Sequence, residues 1–332
     1  MTVLASTQTS APSASKPALA EEENVARPAL DDAAFSTLVG RLNRLSVDKH
    51  FDCYVDVPWD ESGYEIDADD PRWIPSVEEA FGGAPWFDEL PDTAKSRLGL
   101  QMVVDRMRKG MLFENILSRG LLDYAFHLPS GHDEFRYVYH EVVEESQHSM
   151  MFQEFVNRSG LDQFKMPWDM KYGSRFVVET ARVFPELFFV FVLGGEDPID
   201  HVQRTALRSD KELHPLVERI MRIHVTEEAR HLSFARHQLK RGIAGLTRPR
   251  RAVLAHAAPL ILAEMSKAML EIPDYIVDEY DIPRSFIDEY SQRPDVIQGR
   301  YDALAKVRKL LGECGLLTPS AEKLWKGLKL AA

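Results

Sequence analysis

Cysteine is almost missing from this sequence. Two residues in 332, Cys53 and Cys314, stand far apart and in no C-x-x-C arrangement, which argues against a disulfide framework and fits a reduced, cytoplasmic setting. Positive charge is also short, with 40 Lys and Arg against 52 Asp and Glu and a net charge of −12. A nucleic-acid surface needs a basic face to displace phosphate counterions, and an anionic membrane surface attracts the same kind of face. Neither is expected as a partner. No run is long and apolar enough to span a bilayer, and the richest, Leu187 to Gly195, is too short. The first 27 residues are rich in Ala, Ser and Thr. They lack the basic start and continuous apolar stretch of a secretory signal and read as a disordered tail. There is no β-alternation of any length, no G-x-G-x-x-G after a strand, no P-loop, no nucleophile elbow and no H-E-x-x-H.

What remains is helical. Apolar residues make up 45% and charged residues 28%, the proportions of a globular protein. The sequence predicts one all-helical domain over 28–330, its central bundle at about 92–242. Helices are expected from Asp31 to Val47, Asp92 to about Ala125, Asp133 to Ser159 and about Gly173 to Arg208. They continue at about 212–242, 249–271, 284–291, 296–313 and 319–329. Residues 52–93, rich in Pro, Trp and Asp, predict an irregular wrap with short helices. Residues 160–173 predict a connection. The 173–208 helix is expected to bend near Pro185 and again near Gly194, Gly195 and Pro198.

Two words inside these helices carry the chemistry. Glu144-Glu145-Ser146-Gln147-His148 and Glu227-Glu228-Ala229-Arg230-His231 each hold an E-x-x-H, which places a carboxylate and an imidazole one turn apart on one helix face. Each has a glutamate upstream in an apolar run, with 31 residues from Glu114 to Glu145 and 32 from Glu196 to Glu228. One E-x-x-H alone reads as a surface ion pair or a core histidine. Two copies, each paired with a glutamate at nearly the same distance, read as the ligand set of a dinuclear metal site in a four-helix bundle. Glu114 shares its face with Met107, Met111, Leu117 and Leu121, and the other glutamates lie on similar apolar stripes. Ionised carboxylates there are prohibitively costly unless a cation shares them.

His224 lies four residues before Glu228 and seven before His231, on the same face. It is a third candidate imidazole ligand, the alternative being a hydrogen-bonded core histidine. Mixed nitrogen and oxygen donors suit iron or manganese, or a mixed pair, better than structural zinc. Glu144 and Glu227 are turned about 100° from the adjacent ligand positions. There Glu144 would accept the free N–H of His231, and Glu227 that of His148; the alternative is a solvated face. His140, His201, His237 and His256 lack such company and read as structural or exposed. Phe184, Phe188, Phe189 and Phe191 read as core. Arg106, Arg108 and Lys109 read as a solvated basic face.

The order Glu114, Glu145-x-x-His148, Glu196, Glu228-x-x-His231 resembles that of the ferritin-like non-haem diiron carboxylate proteins. With His224 in His-Val-Thr-Glu-Glu-Ala-Arg-His, it is similar to the p-aminobenzoate N-oxygenase (AurF-type) family, most clearly over residues 96–240. The resemblance implies a ferritin-like bundle with flanking helices and two iron ions held by Glu114, Glu145, His148, Glu196, His224, Glu228 and His231. It also implies O₂ activation through a peroxo species and conversion of an arylamine to a hydroxylamine or nitro compound. An external electron donor, a ferredoxin or a reductase, follows from that chemistry, and a homodimer through the flanking helices is compatible with it. The broken pattern around Glu196, with Gly194 and Gly195 before it and Pro198 after it, is a departure: if Glu196 is displaced, one ligand would be lost or would come from Asp197. Two rivals stay open. One is a diiron acyl-carrier-protein desaturase or hydroxylase, which should lack His224. The other is a non-catalytic iron-binding bundle.

Overall fold

A computed structural model describes residues 29–76, 80–161 and 168–331; the expected N-terminal tail at 1–27 lies outside them. The described residues form twelve α-helices and one short 3-10 turn, with no strand among them. The order is α1 (Asp32–Asp48), the 3-10 turn (Pro71–Trp73), α2 (Pro85–Asp88), α3 (Asp92–Phe126), α4 (Asp133–Ser159), α5 (Trp168–Val183) and α6 (Pro185–Arg208). It continues with α7 (Pro215–Gly245), α8 (Arg248–Leu270), α9 (Asp274–Glu279), α10 (Arg284–Gln292), α11 (Pro294–Glu313) and α12 (Pro319–Gly327).

The bundle consists of two hairpins. α3 packs along α4, and α6 along α7. Local sequence sets their ends. Pro215 opens α7, with the His214 side chain accepting from the Leu216 N–H. α4 begins on Asp133 and Glu134, acidic residues that suit a helix N-terminus, and stops at Gly160 with φ +70. The equal spacings noted in the sequence now have a geometric meaning. Glu114 lies 12 residues before the end of α3, and Glu145 lies 12 after the start of α4. Glu196 lies 12 residues before the end of α6, and Glu228 lies 13 after the start of α7. At 1.5 Å per residue each glutamate sits about 18 Å from its own hairpin turn, so the two members of each hairpin meet at one level.

The other helices close the outside. α1 lies on α4 and α7, α5 on α3 and α6, α8 and α11 on α6, and α12 on α8. The largest apolar core gathers Leu117, Leu121, Phe188, Phe189, Phe234, Leu254, Leu262 and Val307, all nearly inaccessible to solvent. A second core, with Trp59, Trp73, Val104, Phe155 and Ile220, joins the 52–93 wrap to the far end of the bundle.

Three expectations are corrected. The 173–208 segment is two helices, not one, because Phe184 leaves the helical region at φ −152, as a residue before proline tends to do. α5 begins at Trp168, so the 160–173 connection is shorter than expected. α6 then runs unbroken past Gly194, Gly195 and Pro198. The glycines allow close packing: a Cβ on Gly195 would lie 2.2 Å from the Phe113 ring, and one on Gly194 would lie 2.8 Å from Leu262. Finally, one stretch, Arg248–Glu279, is long and apolar enough by length and composition to cross a membrane, its best window having mean hydropathy 1.3. Its charges lie toward the two ends, and His256 and Pro259 interrupt the uncharged centre at 252–263, so no long unbroken apolar run marks it. Leu254, Ala258 and Leu262 of this stretch are buried in the core that α6 shares.

Candidate metal centre

The seven residues singled out by the sequence lie together. One donor atom from each of Glu114 (α3), His148 (α4), His224 and Glu228 (α7) falls within 4.8 Å of the others. A second group, Glu145 (α4), Glu196 (α6), Glu228 and His231 (α7), meets the same limit. Glu228 belongs to both. All seven are buried, none more than 3% exposed. α6 brings Glu196, not Asp197, to the cluster. Asp197 turns away and ion-pairs with Arg236 of α7, and Asp200, one turn on, holds Arg204 at 2.6 Å. Glu196 is therefore not displaced, and the helix turns Asp197 about 100° away from it.

The imidazoles are oriented. The Nδ1 of His148 faces Glu145 at 3.0 Å and Glu228 at 3.5 Å, while that of His231 faces Glu145 at 2.8 Å and Glu228 at 3.3 Å. Their Nε2 atoms point outward, His148 to Glu227 at 2.9 Å and His231 to Glu144 at 2.7 Å. Glu144 and Glu227 are buried, not solvated. His224 Nε2 lies 3.6 Å from Glu114 and 3.7 Å from Glu228. Its ring packs on His148 at 4.6 Å between centroids and on Phe152 at 5.4 Å.

Electrostatics describe a cluster short of positive charge. Burial, with Glu145 and Glu228 nearby, pushes the Glu114 carboxyl well above its ordinary range. Burial with Glu228 and Glu145 does the same for Glu196, and Glu228 is raised by burial and Glu145. Burial also acts upward on Glu145, but His231 and His148 outweigh it and hold this carboxyl well below the usual value. Burial acts downward on the imidazoles; hydrogen bonds to Glu145 and Glu227 nevertheless lift His148 to about 10, and Glu145 and Glu228 lift His231 well up. His224 is driven well below its ordinary value by burial and by His148, with Glu145 acting upward and too weak to offset them. That direction favours the neutral imidazole, the form that binds a metal.

These residues fit a pair of divalent cations. Both oxygens of Glu196, one each of Glu114 and Glu228, and Nδ1 of His224 are buried without a hydrogen-bond partner. Buried polar atoms are otherwise almost always paired. Cations would replace the protons that the crowded carboxylates now need.

Several neighbours escaped the sequence reading. Glu141, one turn before Glu145, is fully buried with neither oxygen paired, and burial lifts its carboxyl to about 8. Its stripe position, four residues before Glu145, was a usable signal. Arg230 stands between Glu144 and Glu227. Arg108 is buried, not solvated, and Lys109 pairs with buried Asp105 at 2.8 Å. Tyr275, on α9, donates to Asp105 at 2.8 Å. Nothing in the α3 sequence signals that α9 folds over that face. The remaining histidines stay outside the cluster: His237 bonds the Ser233 carbonyl, and His256 bonds the Ala252 carbonyl and Ser320. The wrap touches the centre through Cys53, whose N–H donates to Gln147 at 3.0 Å, beside a narrow crevice bordered by Phe51, His148, Met151 and Ile223.

Comparison with known proteins agrees with this geometry. Residues 32–315 match the family model described as P-aminobenzoate N-oxygenase AurF. A Mycobacterium tuberculosis (strain CDC 1551 / Oshkosh) protein named "Uncharacterized protein MT0908" is 38% identical over 301 residues, covering 90% of this chain and 88% of the relative. "Uncharacterized protein Rv0885" of Mycobacterium tuberculosis (strain ATCC 25618 / H37Rv) is 37% identical with the same coverage. "Uncharacterized protein Mb0909" of Mycobacterium bovis (strain ATCC BAA-935 / AF2122/97) is likewise 37% identical. With the match spanning nearly all the described helices, the chain belongs to the p-aminobenzoate N-oxygenase AurF family.

Proposed function

We propose that this protein is a diiron oxygenase that inserts oxygen into the N–H bond of a small amine, with an aromatic amine as the first substrate to test. One observation carries the reading: four carboxylates and three imidazoles from four helices converge, in two overlapping donor groups, where a globular protein keeps its apolar core. Glu114, His148, His224 and Glu228 would hold one ion, and Glu145, Glu196, Glu228 and His231 the other. When bound, the iron pair supplies the redox chemistry with O₂.

The chain's own residues supply the rest. Glu144 and Glu227 keep the proton on Nε2 of His231 and His148, so that each Nδ1 lone pair faces inward. Phe113, Phe152 and Phe191 are nearly closed to solvent and exclude water, which strengthens every charge interaction inside. The balance of the reaction is an amine plus O₂, two protons and two electrons, giving a hydroxylamine and water. The electrons come from an external reductant, for which a ferredoxin or a reductase is the proposed donor.

The test is to load metal-free protein with Fe(II), count iron per chain, and follow O₂ uptake with a reductant in the presence and absence of p-aminobenzoate and simpler arylamines. Two irons per chain, amine-dependent O₂ uptake and a product heavier by one oxygen atom are expected. Iron uptake with no amine-dependent oxygen consumption would leave the iron-binding bundle as the better reading, and turnover of an acyl carrier thioester instead would favour the desaturase.

A further inference from the structure

Two buried acids outside the donor groups share a single cation. Glu144 places Oε2 on Nε2 of His231 at 2.7 Å and Oε1 on Nη2 of Arg230 at 2.8 Å. Glu227 places Oε2 on Nε2 of His148 at 2.9 Å and accepts from the same Nη2 on Oε1 at 3.4 Å. The connected path is therefore His148, Glu227, Arg230, Glu144, His231, and it passes between α4 and α7 three times. Arg230 is 4% exposed and both carboxylates 1% or less. Two carboxylates so close in a water-free interior repel strongly unless a cation lies between them. A guanidinium is the side chain that stays charged under all conditions and serves several oxygens from one plane.

We propose that Arg230 is a positioning residue that couples the two metal positions, holding both outer carboxylates so that both histidines present Nδ1 to the centre together. The inference rests on the dimetal reading above. Its physical content is the sharing. Glu144 acts on one histidine and Glu227 on the other, so loss of either disturbs one position. Arg230 serves both, so its loss disturbs the two at once. Arg230 touches no donor atom of either group, which separates this role from ligation.

The experiment titrates Fe(II) into metal-free full-length protein under anaerobic conditions, reading the number and affinity of equivalents by calorimetry, with circular dichroism and melting as controls for folding. Glu144→Gln is expected to weaken one equivalent and Glu227→Gln the other, marking the two positions. Arg230→Gln is expected to weaken both, each by about 10- to 100-fold, the usual effect of losing an outer partner of a metal ligand. Arg230→Lys, which keeps the charge but not the fork, should weaken both by less, and it carries the test if Arg230→Gln does not fold. Wild-type affinity for both equivalents in folded Arg230→Gln, or a loss confined to one equivalent in either Arg230 variant, overturns the proposal. Failure of the unsubstituted protein to bind two equivalents is a different result, and it counts against the dimetal reading itself.

Discussion

The two donor groups are built from similar hairpins, yet they differ in composition. The one containing Glu114 has two imidazoles and two carboxylates, and the one containing Glu196 has one imidazole and three carboxylates. His224 makes the difference: the corresponding position of the α3–α4 hairpin, four residues before Glu145, is Glu141, which joins neither donor group. The consequence is a gradient of charge across one small cluster. The Glu196 group has one more carboxylate and one fewer imidazole in equally buried surroundings. The proposed metal positions are therefore unlike, and each should respond separately to substitution except where a residue is shared.

The severest way to break that comparison is at the shared residue. Glu228→Gln keeps the shape and removes the anion common to both groups. Iron content should fall from two equivalents to nearly none, with amine-dependent O₂ uptake at background; retention of one tight equivalent would show that the groups do not depend on Glu228 jointly. His224→Ala should be less severe. It removes a donor from one group only, so one iron equivalent should remain at wild-type affinity while the other weakens by an order of magnitude or more, as loss of a direct ligand should exceed the roughly 10-fold lower bound for an outer partner. Equal loss of both, or of neither, would end the claim that His224 creates the asymmetry.

The smallest expected effect sharpens the comparison on the carboxylate-rich side, in metal-free protein. Burial lifts Glu141 to about 8 from an ordinary 4.5, with His231, Glu145, Glu228 and Glu144 around it. A carboxyl raised by folding favours the folded state only while protonated. Its contribution is complete below about pH 4.5 and is lost as the pH rises through about 8. Glu141→Gln removes that dependence. The variant's melting temperature should gain on the wild type across this window, by a few degrees at most for a domain of this size, and then run parallel to it. A difference that is flat with pH would contradict the assignment.

The candidate site was legible because two periodicities coincide. Glu145 with His148 and Glu228 with His231 obey the helix repeat, and the 31- and 32-residue spacings obey the length of a helical hairpin. A chain that repeats both has little freedom to place those side chains elsewhere. The Glu144 and Glu227 contacts follow from the same repeat, one position and one third of a turn away. Arg230, Glu141 and Arg108 were not legible in this way. Arg230 was visible only as part of a motif, and its role depends on the distance between α4 and α7. Glu141 has the position of a ligand without being in either donor group. Arg108 reads as solvated until α9 is laid across it.

The sequence by itself determined most of the helices and the seven acids and imidazoles that meet inside the bundle, because helix periodicity and hairpin length are local properties of the chain. Tertiary structure alone decided that Gly194 and Gly195 pack on Leu262 and Phe113, that Glu141 and Arg108 are buried, and that one guanidinium stands between Glu144 and Glu227. Those outcomes turn on a few ångströms between helices far apart in sequence, such as the contact of Gly195 with Phe113, and packing across the bundle sets that distance.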